Sequence, residues 1–265
     1  AFFPAALFVA RPDVPWRTLA AYGTLIGAGQ FGLMFIAMRA DITPGLASLV
    51  IQTQVFFTIG LAMVFNRERL KRVQGTALAL AAVGLTVIAW HTDAATTPLG
   101  LLLVLSAALC WAAGNTVAQR AGKLPILGFM VWSSLFAVPP LLLLSLLQEG
   151  PAAITQGLSR AGGGTWAAVL WPSVGNTLFG YGAWASLMAR YPAATVSPMA
   201  LLVPVFGMGA SALLLAEALP VWKLGGAALV MGGLAVNLLW PRLAGQRRAA
   251  PKRPALPSGD ANEVS

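Results

Sequence analysis

The sequence predicts an all-α integral membrane protein made of inverted five-helix repeats, with eight complete spans and an N-terminal remnant here and ten helices in the parent. Three observations predict it. Of 265 residues, 58% are hydrophobic and only 9% charged, where a soluble domain carries roughly 25% charged residues. Apolar runs of about 20 residues, the length a helix needs to cross a bilayer, recur along the chain. Residue pairs also recur at a fixed interval: Ser48 with Ser197, Phe57 with Phe206 and Glu68 with Glu217 are 149 apart, and Trp16 with Trp166, Gly75 with Gly225 and Trp90 with Trp240 are 150 apart.

In order along the chain, the first ten residues, "AFFPAALFVA", are apolar but too short to span. They lack a basic n-region and a cleavage site, so they read as the tail of a truncated helix. Spans follow at about 18–38, 44–65, 72–90, 99–118, 125–147, 166–188, 194–216 and 222–240. Pro139 and Pro204 fall inside spans and are expected to free the carbonyls of Leu135 and Ala200. Between Pro151 and the glycine run that follows, Ile154 and Leu158 are helically spaced, which predicts a short extracytoplasmic interfacial helix. Residues 1–90 form the truncated first repeat, 91–98 a connecting loop, 99–241 the second repeat, and 242–265 a basic tail expected to be disordered.

The repeat interval contains five spans. That number is odd, so the second copy enters the membrane upside down, an arrangement common among transporters.

Charge supports alternation. One side of the bilayer receives Arg11, Arg17, Arg67, Arg69, Lys71, Arg72, Arg120, Lys123, Arg190 and the five basic residues of the tail, whereas the other receives only Arg39, Arg160 and Lys223. By the positive-inside rule the first side is cytoplasmic, and with it the C-terminus of a multi-pass protein. The net charge of +9 therefore reports topology rather than a nucleic-acid partner.

One cysteine, Cys110, rules out an intramolecular disulfide, and a single histidine, His91, rules out most His/Cys metal sites. No clustered His, Cys and acidic residues supply a nucleophile, base or metal ligands, so neither a catalytic residue nor a cofactor is assigned.

No Asp, Glu, Lys or Arg lies in the middle of a span, which argues against an internal carboxylate relay. Neutral polar groups are plentiful instead. Trp111 and Asn115 share a helix face in "SAALCWAAGNTVAQR", and Asn176, Tyr181 and Trp184 mark a second polar and aromatic span. Gln30 sits midway along its span. Gln52 and Gln54 point about 200° apart, and Gln52 is favoured for the cavity. With Ser197, the predicted substrate-binding set is Gln30, Gln52, Trp111, Asn115, Asn176, Tyr181, Trp184 and Ser197.

The stretches "FVARPDVP", "GLASLVIQTQVFFT", "WAAGN", "RYPAATVSPMALLVPVFG" and "LLLAEAL" resemble the EamA-type drug/metabolite transporters over almost the whole chain. The resemblance implies ten helices in two inverted repeats, a central cavity, and export of small amino-acid metabolites such as O-acetylserine and cysteine. Export of other amino acids or drugs, and a non-transporting membrane scaffold, are the alternatives. The partners expected are a small metabolite and the lipid bilayer.

Overall fold

The computed structural model describes residues 8–66, 71–91, 96–122, 125–180, 183, 187, 190, 199 and 201–248. These residues are helical almost throughout, with a single isolated bridge between Ile42 and Thr96. In lipid every backbone polar group must be satisfied within its own segment, which helices achieve. Five described helices are long and apolar enough to cross a bilayer, or six if one bent pair counts as a span.

The first is α1, Trp16–Arg39, followed by α2, Pro44–Phe65, α3, Arg72–Trp90, and α4, Pro98–Arg120. Each lies within about two residues of the expected span. The bent pair is α5, Ile126–Ser134, and α6, Val138–Ser159, at 41° to each other. Next come α7, Gly163–Leu170, running into a π-helical stretch over Trp171–Gly180, then α8, Leu202–Leu215, and α9, Val221–Arg248.

Two of the proline expectations need correction. Pro139 lies in the first turn of α6 rather than mid-helix, where its missing N–H costs nothing. The chain breaks just before it, at the end of α5. Pro204 likewise sits in the first turn of α8, and Ala200 lies outside the described residues. The stretch expected as a short helix after Pro151 is helical to Ser159, set off from the rest of α6 by Gly150 at φ 76°.

α1 is not uniform. Gly23–Gly32 is π-helical, a rarely sustained geometry that is frequent at functional sites when it occurs as a bulge. Its glycines explain how it packs. A side chain at Gly23 would strike the carbonyl of Ser133, and one at Gly27 would strike Ala137, so the α5–α6 bend fits against α1. On another face, Gly29 abuts Cys110 and Gly114 abuts Ile26, bringing α4 close to the same stretch. Small residues thus let three helices approach closely.

The main core joins α2, α3, α4, α8 and α9 around Leu46, Leu49, Val50, Ala77, Ile88, Val104 and Val230. α3 and α9 form an antiparallel seam. Ala77 and Ala81 face Gly233, while Gly84 and Ile88 face Gly226. Large apolar residues elsewhere, such as Trp90, Leu213 and Leu214, point outward as lipid contact requires.

Contacts define the two ends of the bundle. At one end Arg120 lies over Phe65, and Trp132 Nε1 donates to the Val9 carbonyl. At the other meet the loops after α1, α3 and α8. There Thr97 Oγ1 donates to Asp41 at 2.9 Å, His91 stacks on Trp222, and Arg39 reaches Gln148 of α6. Arg39 and Lys223 thus share an end, as the charge pattern predicts.

Candidate functional site: neutral amides along α4 and a polar joint at one end

α4 packs against both the π-helical stretch of α1 and a 3-10 turn, Ile51–Thr53, that interrupts α2. These are the places where Gln30 and Gln52 stand. Gln30 is 5% exposed and Gln52 is 7% exposed, and Gln52 is engaged by a polar or ring partner. Trp111 packs against the main core, and Asn115, one turn on, is half-buried. Gln30 and Gln52 thus stand on two elements that each pack against α4, the helix that carries Trp111 and Asn115. Cys110 is taken up by packing against Gly29.

Asn176 lies on the second π-helical stretch, its side chain outside the described set. Tyr181, Trp184 and Ser197 lie outside the described residues. Gln54 is half-buried.

A second arrangement was missed by the sequence reading. Glu217, in the turn between α8 and α9, has a side chain only 4% exposed. Thr43 Oγ1 donates to it at 2.5 Å, the Gly45 N–H at 3.0 Å and Lys223 Nζ at 3.0 Å, and Ser211 Oγ donates as well. Burial raises the carboxyl's pKa, but the bonds from Ser211, Thr43, Lys223 and Gly45 outweigh it and hold the group below the usual glutamate range. Lys223 Nζ also donates to the Ala218 carbonyl at 3.2 Å. Gly45 is required here by space, since a Cβ would come within 2.7 Å of Glu217 Oε2.

The signal for this cluster was in the sequence. Glu217 is half of the Glu68/Glu217 repeat pair, and Lys223 is one of three cations on the sparsely charged side.

Two clefts open at this end. One of about 330 Å³ borders the cluster, lined by Thr43, Pro44, Ser211, Leu215, Trp222 and Lys223 among others. The other, of about 390 Å³, lies between α1 and α6, with Phe35, Ile36 and Leu144 as its wall and Arg39, Gln148 and Glu149 as its polar part. Neither is lined by Gln30, Gln52, Trp111 or Asn115.

Long apolar helices, buried uncharged amides between them and cations sorted to the ends define a multi-pass helical membrane protein. Residues 98–239 match the EamA-like transporter family. The chain is 41% identical to a probable amino-acid metabolite efflux pump of Salmonella typhimurium, over 89% of this chain and 81% of that one. It is 37% identical to a protein of the same description from Escherichia coli, with the same coverage. A transporter of Archaeoglobus fulgidus with no assigned substrate is 23% identical over 87% of the chain and 81% of its own length. A solved crystal structure superposes with a TM-score of 0.57 at 19% identity, covering 88% of this chain and 79% of that one, a likeness of fold alone. The chain belongs to the EamA-like transporter family.

Proposed function

We propose that the protein exports small amino-acid metabolites, O-acetylserine and cysteine foremost, across the bacterial inner membrane by alternating access, with its C-terminus in the cytoplasm. The observation that carries the reading is the likeness to two proteins described as amino-acid metabolite efflux pumps, over nine-tenths of the chain.

The backbone supports two halves of like build. The π-helical stretches begin at Gly23 and Trp171, 148 residues apart. The 3-10 turn at Ile51–Thr53 has a counterpart at residues 199 and 201. In the α3–α9 seam Ala77 meets Gly233 and Gly84 meets Gly226, so the crossing centres on residues 80 and 230, themselves 150 apart. An antiparallel crossing centred on repeat-related positions is what a two-fold axis in the membrane plane produces. Two such halves can exchange roles as the pathway opens to each side.

The proposed site is neutral. Amides of Gln30, Gln52, Asn115 and Asn176 and hydroxyls of Tyr181 and Ser197 bond the ammonium and carboxylate of a zwitterion, while Trp111 and Trp184 exclude water from its short side chain. A zwitterion carries no net charge, so a neutral polar chamber avoids burying an uncompensated ion. Labelled cysteine and O-acetylserine exported from vesicles, with and without a proton gradient, test the reading. Asn115→Ala and Asn176→Ala should each slow export by about tenfold or more, the worth of one to two lost hydrogen bonds. Export rates and selectivity unchanged in both would refute the site. Competition by unrelated amino acids or drugs would widen the substrate class.

A further inference from the structure

The Glu217 cluster joins segments far apart in the chain. Thr43 and Gly45 open α2 in the first half, whereas Ser211, Glu217 and Lys223 close α8 and open α9 in the second. We infer that this cluster is a releasable latch that shuts the extracytoplasmic end of the pathway, and that the metabolite leaves only after it parts. The inference rests on the export reading and its topology.

The bonds end on one carboxylate, and apart from one backbone N–H they come from side chains. They can therefore break together without unwinding a helix. α8 meets α2 with Gly207 against Ser48, and one turn on Ser211 bonds the same carboxylate that Thr43 and Gly45 bond from the start of α2. The cleft of about 330 Å³ beside the joint gives the parted groups access to water. Ala216, immediately before Glu217, is held at φ 53°. That left-handed conformation is costly for alanine. The residue is the C-cap of α8, where the Glu217 N–H donates to the Ser211 carbonyl at 3.3 Å, so the helix end itself fixes the turn that presents the carboxylate to α2.

The two halves differ at this point. Counting back 149 residues, Ser211 corresponds to Ala62, and Lys223, which stands where the interval passes from 149 to 150, corresponds to Gln74 or Val73. None of these can supply the hydroxyl or the ammonium, and Gln74 accepts from the backbone N–H of Lys71 at 2.9 Å. Glu68 itself lies outside the described residues. A tie on the extracytoplasmic side biases the resting protein toward opening on the cytoplasmic side, where an exporter loads.

The test uses the full chain in proteoliposomes. In a Cys110→Ala background, Ser48→Cys places a thiol beneath the latch, and a membrane-impermeant maleimide is added from the extracytoplasmic face. Labelling is slow in this parent. It should accelerate by about tenfold or more in Lys223→Met, which removes a charged donor, and by a smaller factor in the milder Thr43→Val, which covers the case in which the first variant does not fold. Separately, Thr43→Cys with Ser211→Cys, bridged by mercuric ion, should arrest export, and dithiothreitol should restore it. Labelling rates equal in parent and variants, or export at the parent rate with the bridge in place, would overturn the latch. Labelling that accelerates in a protein that moves neither cysteine nor O-acetylserine would leave the latch standing and refute the export reading instead.

Discussion

The α3–α9 seam and the joint around Glu217 both connect segments that are far apart in the chain, and they are made of opposite materials. The seam is glycine and alanine against glycine, with the backbones so close that a Cβ on Gly84 would sit 2.9 Å from the Gly226 carbonyl oxygen. The joint is one carboxylate and four donors. Contacts between small residues gain from dispersion at short range and have no second arrangement of equal depth. Hydrogen bonds to a carboxylate can be exchanged for water. A seam of the first kind suits an axis about which two halves turn, and a joint of the second kind suits the edge that opens.

The largest effect is expected at the seam. Gly84→Leu forces a side chain into the backbone of α9 and should destabilise the protein by about 3 kcal/mol, the upper range for overpacking. Thermal unfolding in detergent measures it. If Gly84→Leu instead leaves stability intact but changes export, the seam moves during transport and the contrast with the joint fails.

Next is the joint itself. Lys223 is 4% exposed and gives Glu217 its one cationic partner among the described residues. Lys223→Met should cost about 2 kcal/mol, the range for a hydrogen bond to a charged group. Unlike the seam variant, it should also change which side of the membrane the interior faces. A smaller effect belongs to the neighbouring cap, where Thr97 bonds the Gly100 N–H at 3.0 Å and the Asp41 carboxylate at 2.9 Å. Thr97→Val should cost about 1 kcal/mol, the worth of an N-cap.

These contrasts were unequally legible in the sequence. The spans were readable because lipid forces each helix to be apolar along its length, and α1 to α4 begin and end where the runs do. The break between α5 and α6 falls at Leu135–Ala137, beside the Pro139 that signalled it, but Pro139 starts the second helix rather than kinking one continuous helix. The π-helical stretch at Gly23–Gly32 had no separate sign. Its glycines read equally well as ordinary close packing, since the i→i+5 bonding pattern has no compositional cost of its own. For the proposed site, helical spacing put Trp111 and Asn115 on one face and separated Gln52 from Gln54, whereas which helices stand beside that face is set by the fold. The Glu217 joint was not foreseen, because Thr43 and Glu217 are 174 residues apart and each looked like an ordinary helix-end residue. Only the fold brings them within hydrogen-bond distance.

The smallest expected effect is a pH response that should be absent where a transporter usually works. The carboxyl of Glu217 is held below the usual glutamate range by its donors. A group lowered in the folded state contributes its stabilisation fully above the unfolded pKa, about 4.3 for glutamate, and loses it as the pH falls through the lower folded value. Lys223 is the charged group in direct contact, with Asp41 and His91 on the neighbouring loops at the same end. Maleimide labelling of Ser48→Cys from the extracytoplasmic side, divided at each pH by the rate for a free thiol so that the thiolate fraction cancels, should therefore stay flat between about pH 5.5 and 8 and rise only once the medium is more acidic than about pH 4. A rise near neutrality would mean that Glu217 takes up a proton while still in place. The joint would then be a proton-operated gate, and the contrast between a fixed seam and a joint opened by the substrate's passage would have to be redrawn.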